Sequence, residues 1–94
     1  MATEQQIQSK IVKYLESQGC YVVKVISASK AGVPDILGSY EGEFFGIEVK
    51  TPSTCSNVSK LQDYNLDKIR ESGGHPLVAW NVEMVEEFIS GILL

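Results

Sequence analysis

The chain has 94 residues and a formal net charge of −4, with 44% hydrophobic and 21% charged residues. This length predicts a single domain, residues 1–94, near the lower limit for an independently stable core. No apolar run approaches the roughly 20 residues that span a bilayer, and the first residues lack a signal-peptide pattern, so we expect a cytoplasmic protein with no membrane partner. The acidic balance argues against a simple nucleic-acid-binding domain, since such domains are usually basic.

A helix and a strand are predicted at the start of the chain. Residues 3–18 carry apolar side chains at helical spacing, and Thr3 with Gln6 forms a capping box that marks the helix start. Residues 20–27 are rich in β-branched side chains, which is typical of a short strand. The first helix is therefore expected to pack its apolar face on a sheet.

A β-hairpin is predicted next. Residues 33–40 and 43–50 both have the composition of strands, and they flank Glu41-Gly42, which is a two-residue turn signal. A three-residue loop would shift the pairing by one residue and turn every side chain to the opposite face. The register of the hairpin therefore depends on this turn.

The second half of the chain predicts a helix that connects two parallel strands. Ser59 and Gln62 form another capping box, which begins a helix that runs to Gly73-Gly74. A strand at residues 76–80 and a helix at residues 82–90 follow. The order α-β-β-β-α-β-α predicts an α/β fold in which helices flank a mixed β-sheet, with antiparallel pairing in the hairpin and a parallel neighbour beyond it.

The predicted hairpin brings two acids together. If Tyr40 faces Glu43 across the turn, the same register places Asp35 opposite Glu48, with Cβ atoms roughly 4.5–5.5 Å apart. Lys50 lies on the same face as Glu48, because side chains alternate along a strand. Two carboxylates at that separation repel by roughly 3 kcal/mol at an effective dielectric constant of about 20.

Three arrangements would relieve this repulsion. One acid can keep a proton, Lys50 can neutralise part of the charge, or a divalent cation can bind between the carboxylates. The cation explains the pair best, and it predicts further oxygen ligands. Glu4 is a candidate because it shares the helix face of Ile7 and Ile11, although an acid at a helix start also simply favours the positive end of the helix. Gln62 lies on an inward face of its helix, but its capping bond alone accounts for it.

The spacing of these residues resembles the signature of the PD-(D/E)xK nucleases, in which a proline–aspartate pair, a spacer and a Glu-x-Lys unit follow one another. More closely, the chain is similar to the compact, stand-alone VRR-NUC nucleases, which phages often carry. The similarity covers almost the whole sequence, and its parts are Glu4-x-x-Ile7, Gly32-Val33-Pro34-Asp35, Phe45-Gly46-Ile47-Glu48-Val49-Lys50-Thr51, Ser59-x-x-Gln62 and Gly73-Gly74.

This resemblance implies a fold, an activity and a site. The fold would be the restriction-endonuclease-like αβββαβ core with a C-terminal helix, and the activity would be Mg²⁺- or Mn²⁺-dependent hydrolysis of DNA phosphodiester bonds. The implied metal ligands are Glu4, Asp35, Glu48 and the backbone carbonyl of Val49. The implied catalytic residues are Asp35, Glu48, Lys50 and Gln62. Within that set, Lys50 and Gln62 would position the attacking water and stabilise charge on the phosphate.

The resemblance also implies partners. Small VRR-NUC proteins are typically homodimers that act on branched DNA such as four-way (Holliday) junctions, and a phage-encoded member would work in the host cytoplasm. The apolar C-terminus, Phe88-Ile89 and residues 92–94, would extend burial into a symmetric dimer. Lys24 and Lys30 are candidates for phosphate contacts, although surface lysines are commonly only solvated. Trp80 is expected in the core or at a subunit interface.

Two other functions are compatible with the sequence. The first is a non-catalytic module that uses the same fold to bind DNA or a protein. The second is a structural protein that a bound cation merely stabilises. Lys50 separates the second from a nuclease, because a purely structural cation site has no evident use for an ammonium group beside it.

Overall fold

The computed structural model describes residues 1–94, and the order of its elements is the predicted one. The helices are α1 (Glu4–Ser17), α2 (Lys60–Glu71) and α3 (Val82–Ile92). The strands are β1 (Tyr21–Lys24), β2 (Ile36–Tyr40), β3 (Glu43–Val49) and β4 (His75–Ala79). None of the three helices has both the length and the apolar character that crossing a membrane would require.

The four strands form one mixed sheet in the order β1-β2-β3-β4. β1 pairs antiparallel with β2, and β2 pairs antiparallel with β3. β4 returns through α2 to lie parallel to β3. The predicted α/β architecture, with a mixed sheet flanked by helices and a C-terminal helix, is confirmed.

The hairpin has the predicted register. Tyr40 pairs with Glu43, and the ladder continues to the pair of Ile36 and Ile47. The two turn residues, Glu41 and Gly42, have φ angles of 51° and 83°. Positive φ at both central positions is the geometry whose twist matches that of the flanking strands, so the short turn fixes the register of the whole ladder.

Helices cover both faces of the sheet. α1 and α3 pack against each other and against one face, whereas α2 packs on the opposite face over β3 and β4. The core lies between the sheet and the two helices α1 and α3, because α1 buries its apolar stripe there. The fully buried members of this core are Ile11, Leu15, Ile36, Phe45, Ile47, Val49, Ala79 and Val85. Since side chains alternate along β3, Glu48 faces α2 rather than this core.

Some predicted bounds are wrong. β1 ends at Lys24 and not at residue 27, and Ile26 beyond its end is 93% exposed. β2 begins at Ile36 and not at residue 33, since Pro34 has no N–H to donate to a ladder. At the other end of the chain, α3 extends two residues beyond the predicted stop, to Ile92.

The C-terminal apolar residues mostly serve the protein's own core. Ile89 and Ile92 are buried, and Phe88 packs edge-on against the ring of Phe45, with ring centroids 6.4 Å apart. Leu93 and Leu94 are the exposed members of the segment. The surface that the sequence offered for a dimer is therefore smaller than expected, and the homodimer stays a prediction.

Candidate active site

Asp35 and Glu48 lie side by side at the open end of the hairpin. The ladder ends at the pair of Ile36 and Ile47, and Asp35 and Glu48 are the next residues beyond that pair. Hydrogen bonds hold both the backbone and the side chain of Asp35. Its carbonyl accepts a hydrogen bond from the N–H of Val25 at 2.8 Å, and its Oδ2 accepts one from the N–H of Val49 at 2.8 Å. The aspartate is thus fixed to both neighbouring strands.

Glu48 is buried, and its surroundings favour the protonated form. Only 4% of the residue is exposed. Burial raises the pKa of Glu48 to about 8, and the charge of Asp35 and a hydrogen bond with its carboxyl act in the same direction. The ammonium group of Lys50 lowers the pKa, but it does not offset the other causes, and the charge of Glu4 raises it further. The two acids therefore retain a proton between them near neutral pH in the absence of a cation.

Gln62 links the acid pair to Lys50. Its Nε2 donates to Glu48 Oε2 at 3.1 Å, and its Oε1 accepts from Lys50 Nζ at 3.2 Å. The same Oε1 also accepts from the backbone N–H of Ser59 at 3.0 Å, which completes the predicted capping box. Because the cap fixes Oε1, the amide nitrogen faces Glu48. One conformation of Gln62 therefore makes the capping bonds and also contacts Glu48 and Lys50.

Lys50 is held beside the acids rather than extended into solvent. Its Nζ is 3.9 Å from Glu48 Oε2, and 12% of its side chain is exposed. The hydrogen bond from Lys50 to the amide of Gln62 is shorter than its contact with the Glu48 carboxylate. An ammonium group in this position is available to an anion that approaches the acids.

The loop before Asp35 is anchored by two residues whose roles the sequence reasoning did not identify. Asn65 on α2 is buried, and its Nδ2 donates to the carbonyl of Ala31 at 3.2 Å. Gly32 has a φ of 82°, and a Cβ there would lie 2.7 Å from the side chain of Leu61 and 2.9 Å from that of Asn65. Gly32 belongs to the segment that carries the family resemblance, so that segment was the available signal. Nothing comparable marked Asn65.

The remaining predicted metal ligands lie at the edge of this cluster. Val49 is the last residue of β3, and Lys50, which follows it, donates its N–H to the carbonyl of Ala79 on β4. The N–H and C=O of one strand residue point the same way, so the carbonyl of Val49 points toward Asp35. Glu4 is exposed, and its Oε1 lies 3.5 Å from Nε2 of the buried Gln8, which the sequence reasoning missed. No three acidic, histidine or cysteine side chains converge on one point.

The donor set suits a hard divalent cation. Two carboxylates and one carbonyl are oxygen ligands, which Mg²⁺ and Mn²⁺ prefer, and they leave several coordination positions for water or a phosphate oxygen. Asp35 Oδ1 and Glu48 Oε1 accept no hydrogen bond from a residue outside the pair. A cation at this point would replace the shared proton and remove the repulsion between the carboxylates.

The candidate site lies outside the surface cavities. None of the surface cavities is lined by Asp35, Glu48 or Lys50. Lys24, at the end of the edge strand β1, and Lys30, in the loop before Gly32, are both exposed. Both lie in the part of the chain that leads to Asp35.

Comparisons with known proteins identify the family and the fold. The sequence model of the family described as "Archaeal holliday junction resolvase (hjc)" matches residues 3–92. A solved structure titled "VRR_NUC domain" superposes with a TM-score of 0.78 at 25% sequence identity, covering 96% of this chain and 98% of that chain. None of the curated proteins compared with the chain matches it. Because the family model spans nearly the whole sequence and the fold is that of a VRR_NUC domain, the chain belongs to the Hjc family of nucleases, within the PD-(D/E)xK group that its motif indicated.

Proposed function

We propose that the protein is a divalent-metal-dependent DNA endonuclease that hydrolyses phosphodiester bonds in branched DNA, such as four-way junctions. The observation that carries the proposal is the buried Asp35–Glu48 pair, which Gln62 connects to the ammonium group of Lys50. Membership of a resolvase family and the likeness to a VRR_NUC domain support the same function.

In the proposed site, Asp35, Glu48, the Val49 carbonyl and Glu4 would hold Mg²⁺ or Mn²⁺. The ion supplies a Lewis acid for the phosphate and lowers the pKa of bound water. Asp35 is oriented by the Val49 N–H, and Glu48 by the amide of Gln62. These contacts fix both carboxylates before a ligand arrives, which reduces the reorganisation needed in the transition state.

Lys50 acts on the substrate in this proposal. Its Nζ is free to donate to a non-bridging phosphate oxygen or to the attacking water, because a lysine ammonium has three donors and Gln62 uses one. Gln62 holds that ammonium close to the acids, and the salt bridge from Lys50 to Glu48 is long, at 3.9 Å. This arrangement favours a catalytic role over a merely structural cation site.

DNA contacts beyond the site belong to the same proposal. The exposed Lys24 and Lys30 would bind phosphates on either side of the scissile bond. Replacing one of them should reduce the slope of the logarithm of the binding constant against the logarithm of salt concentration by about one. A homodimer would present two sites to the two strands of a junction. A complex in which one protein copy is bound to each junction at micromolar protein concentration would contradict the homodimer.

The proposal is tested with a panel of linear, flapped and four-way DNA incubated with Mg²⁺, Mn²⁺ or chelator. We expect cleavage of branched DNA only when metal is present. Lys50→Ala should slow cleavage by roughly 100- to 1,000-fold, the usual loss when a group that stabilises the transition state is removed. The matched control is Lys13→Ala, since Lys13 is an exposed lysine on α1 away from the acids.

The opposite result would favour a non-catalytic binding module. In that case the wild-type protein would bind junction DNA but cut none of the substrates with either metal. Asp35→Asn would then leave binding intact, and added metal would not change the thermal stability.

A further inference from the structure

A small cavity of about 220 Å³ lies between α2 and the loop that leads to Asp35. Lys30 on the loop and Lys68 on α2 both line it, and we name it the lysine cleft. Its floor is apolar and is formed by Val33, Pro34, Leu37, Phe44 and Ile69. The cleft therefore combines two cations with a floor that carries no charge.

The lysine cleft lies on the face of the sheet that carries the acids. Asp35 directly precedes β2, and Leu37 is two residues further along the chain, so their side chains lie on the same face. A strand rises about 3.3–3.4 Å per residue, which separates these two residues by roughly 7 Å. The floor of the cleft therefore begins within about 7 Å of Asp35.

Packing around Gly46 joins the cleft to the second acid. Gly46 lies on β3 two residues before Glu48 and on the same face. A Cβ at Gly46 would lie 2.7 Å from a methyl carbon of Ile69 and 3.3 Å from side-chain carbons of Leu37 and Pro34. These three side chains belong to the floor of the cleft. The cleft and Glu48 thus occupy neighbouring positions under α2.

Charge distinguishes the lysine cleft from the other surface cavities. The chain has a formal net charge of −4, yet no acid lines this cavity. The cavity between α1 and α3 combines Lys10 with Glu83, and the one between α2 and β4 combines Arg70 with Asp63. Only the lysine cleft has two cations and no anion in its lining. It therefore favours an anionic ligand.

Both lysines are available to such a ligand. Lys30 is exposed and forms no salt bridge. Lys68 Nζ is 3.6 Å from Glu71 Oε1, but 56% and 67% of these two side chains are exposed. Exposed ion pairs contribute little to stability. An anion that enters the cleft can therefore replace Glu71 as the partner of Lys68.

We propose that the lysine cleft binds a backbone phosphate of the DNA strand being cut, with Lys30 and Lys68 as donors. The inference rests on the proposed nuclease function and adds a substrate-binding site to it. A strand carries one phosphate per 3.4 Å of duplex axis, so a cleft roughly 7 Å from Asp35 receives a phosphate within about three nucleotides of the scissile bond. Phosphate contacts fix the register of a protein on DNA, so this contact would align the scissile phosphate with the metal site.

The first test compares two charges on the same helix. Dissociation constants for four-way DNA are measured in chelator, which prevents cleavage, at several salt concentrations. Lys68→Gln should weaken binding about tenfold, the lower range for a hydrogen bond to a charged group, and reduce the slope against the logarithm of salt concentration by about 0.9. Lys30→Gln should have a similar effect.

Arg70→Gln is the matched control. Arg70 and Lys68 both lie in the last turn of α2, each in an exposed ion pair with an acid three residues away. Each variant removes one positive charge, but Arg70 lines the cavity on the β4 side of the helix. Arg70→Gln should therefore weaken binding by less than about twofold. Thermal melting of each variant checks that it is folded.

The second test locates the phosphate. Four-way DNA with one phosphate replaced by an uncharged methylphosphonate is cleaved in Mg²⁺ under single-turnover conditions at increasing protein concentration. One position within about three nucleotides of the cut should raise the half-saturating concentration of wild-type protein about tenfold. At that position Lys68→Gln should add no further loss, because the same contact is already missing.

The outcomes separate this inference from the proposed function. Equal losses for Lys68→Gln and Arg70→Gln would show general attraction of DNA to positive charge and would overturn the lysine cleft. Full additivity of Lys68→Gln with the methylphosphonate at every position would also overturn it, and both results leave the nuclease intact. Absence of cleavage by the wild-type protein on every substrate would instead contradict the proposed function.

Discussion

The two capping boxes of this protein have the same local structure but different surroundings. At α1 the pair is Thr3 and Gln6, and at α2 it is Ser59 and Gln62, each with both reciprocal hydrogen bonds. Gln6 is exposed and makes only the capping bonds. Gln62 makes the same bonds and in addition contacts Glu48 and Lys50. A glutamine that completes a capping box can therefore make further contacts, and its position relative to the sheet decides whether it does.

Gln62 reaches Glu48 and Lys50 because of where α2 lies on the sheet. A substitution that shifts α2 should therefore have the largest effect on stability and cleavage. Gly32→Ala would force a Cβ into Leu61 and Asn65 of α2, and it would also strain a residue with φ of 82°. We expect the free energy of unfolding to fall by roughly 2–5 kcal/mol, as strain and overpacking add. Cleavage should fall with it, because the loop that leads to Asp35 moves. Both quantities are measured by urea unfolding and by the junction assay.

Gly42→Ala is the matched control for this change. Gly42 has nearly the same φ, 83°, but nothing lies within 4 Å of a Cβ added there. Only the strain of about 1–2 kcal/mol should therefore remain, and cleavage should be unaffected. Equal losses in the two variants would show that contact between the loop and α2 does not position the site.

Substituting the two glutamines tests the comparison itself. Gln6→Ala and Gln62→Ala should each lower the free energy of unfolding by about 0.5–1.5 kcal/mol per lost capping bond. Gln62→Ala should additionally slow cleavage roughly 10- to 100-fold, since it removes a hydrogen bond to a carboxylate that is worth roughly 1.5–3 kcal/mol. Gln6→Ala should leave the cleavage rate within about twofold of wild type. Melting curves and single-turnover rates provide the two readouts, and similar rates for both variants would contradict the account.

The sequence allowed much of the fold to be predicted because its signals are local. The turn residues Glu41 and Gly42 determine the hairpin register, and that register alone places Asp35 beside Glu48. The bounds of β1 and β2 were less predictable, since they depend on Pro34 and on the bond from Val25 to Asp35 rather than on composition. The family resemblance, and not spacing, raised Gln62 to a catalytic candidate.

Other parts of the site could not be predicted, because they depend on contacts between distant segments. Asn65 reads as an ordinary helix residue, and its bond to Ala31 exists only once α2 lies over the loop. Gln8 occupies a helix position that the apolar pattern did not distinguish, yet it is buried against Glu4. Such features require the assembled structure.

A smaller effect should appear in the pH dependence of stability. Glu48 ionises near its ordinary pKa of 4.5 in the unfolded chain, whereas burial and Asp35 raise the pKa to about 8 in the folded protein. Between these values the folded state binds more protons, so the unfolding free energy falls as pH rises from about 5 to 8. Without divalent metal we expect a loss on the order of 1 kcal/mol or more, at about 4–8 °C of melting temperature per kcal/mol.

Glu48→Gln should remove this part of the pH dependence, because glutamine cannot ionise. Glu16→Gln is the control, since Glu16 is an exposed acid on α1 outside the site. Melting temperatures at pH 5 and pH 8 in chelator give the comparison. If the wild-type protein melts at a higher temperature at pH 8 than at pH 5, and Glu48→Gln removes that increase, the acids do not share a proton.

The most direct test of the central idea, that Asp35 and Glu48 together hold one divalent cation, is calorimetric titration with Mn²⁺ at pH 7 in two buffers of different ionisation enthalpy. The account predicts binding that releases close to one proton, because Glu48 with a pKa of about 8 must lose its proton to the solvent when the ion binds. Asp35→Asn and Glu48→Gln should each weaken binding about 100-fold or more, and Glu16→Gln should not. Undiminished Mn²⁺ binding by Asp35→Asn, with no proton released by the wild-type protein, would contradict it.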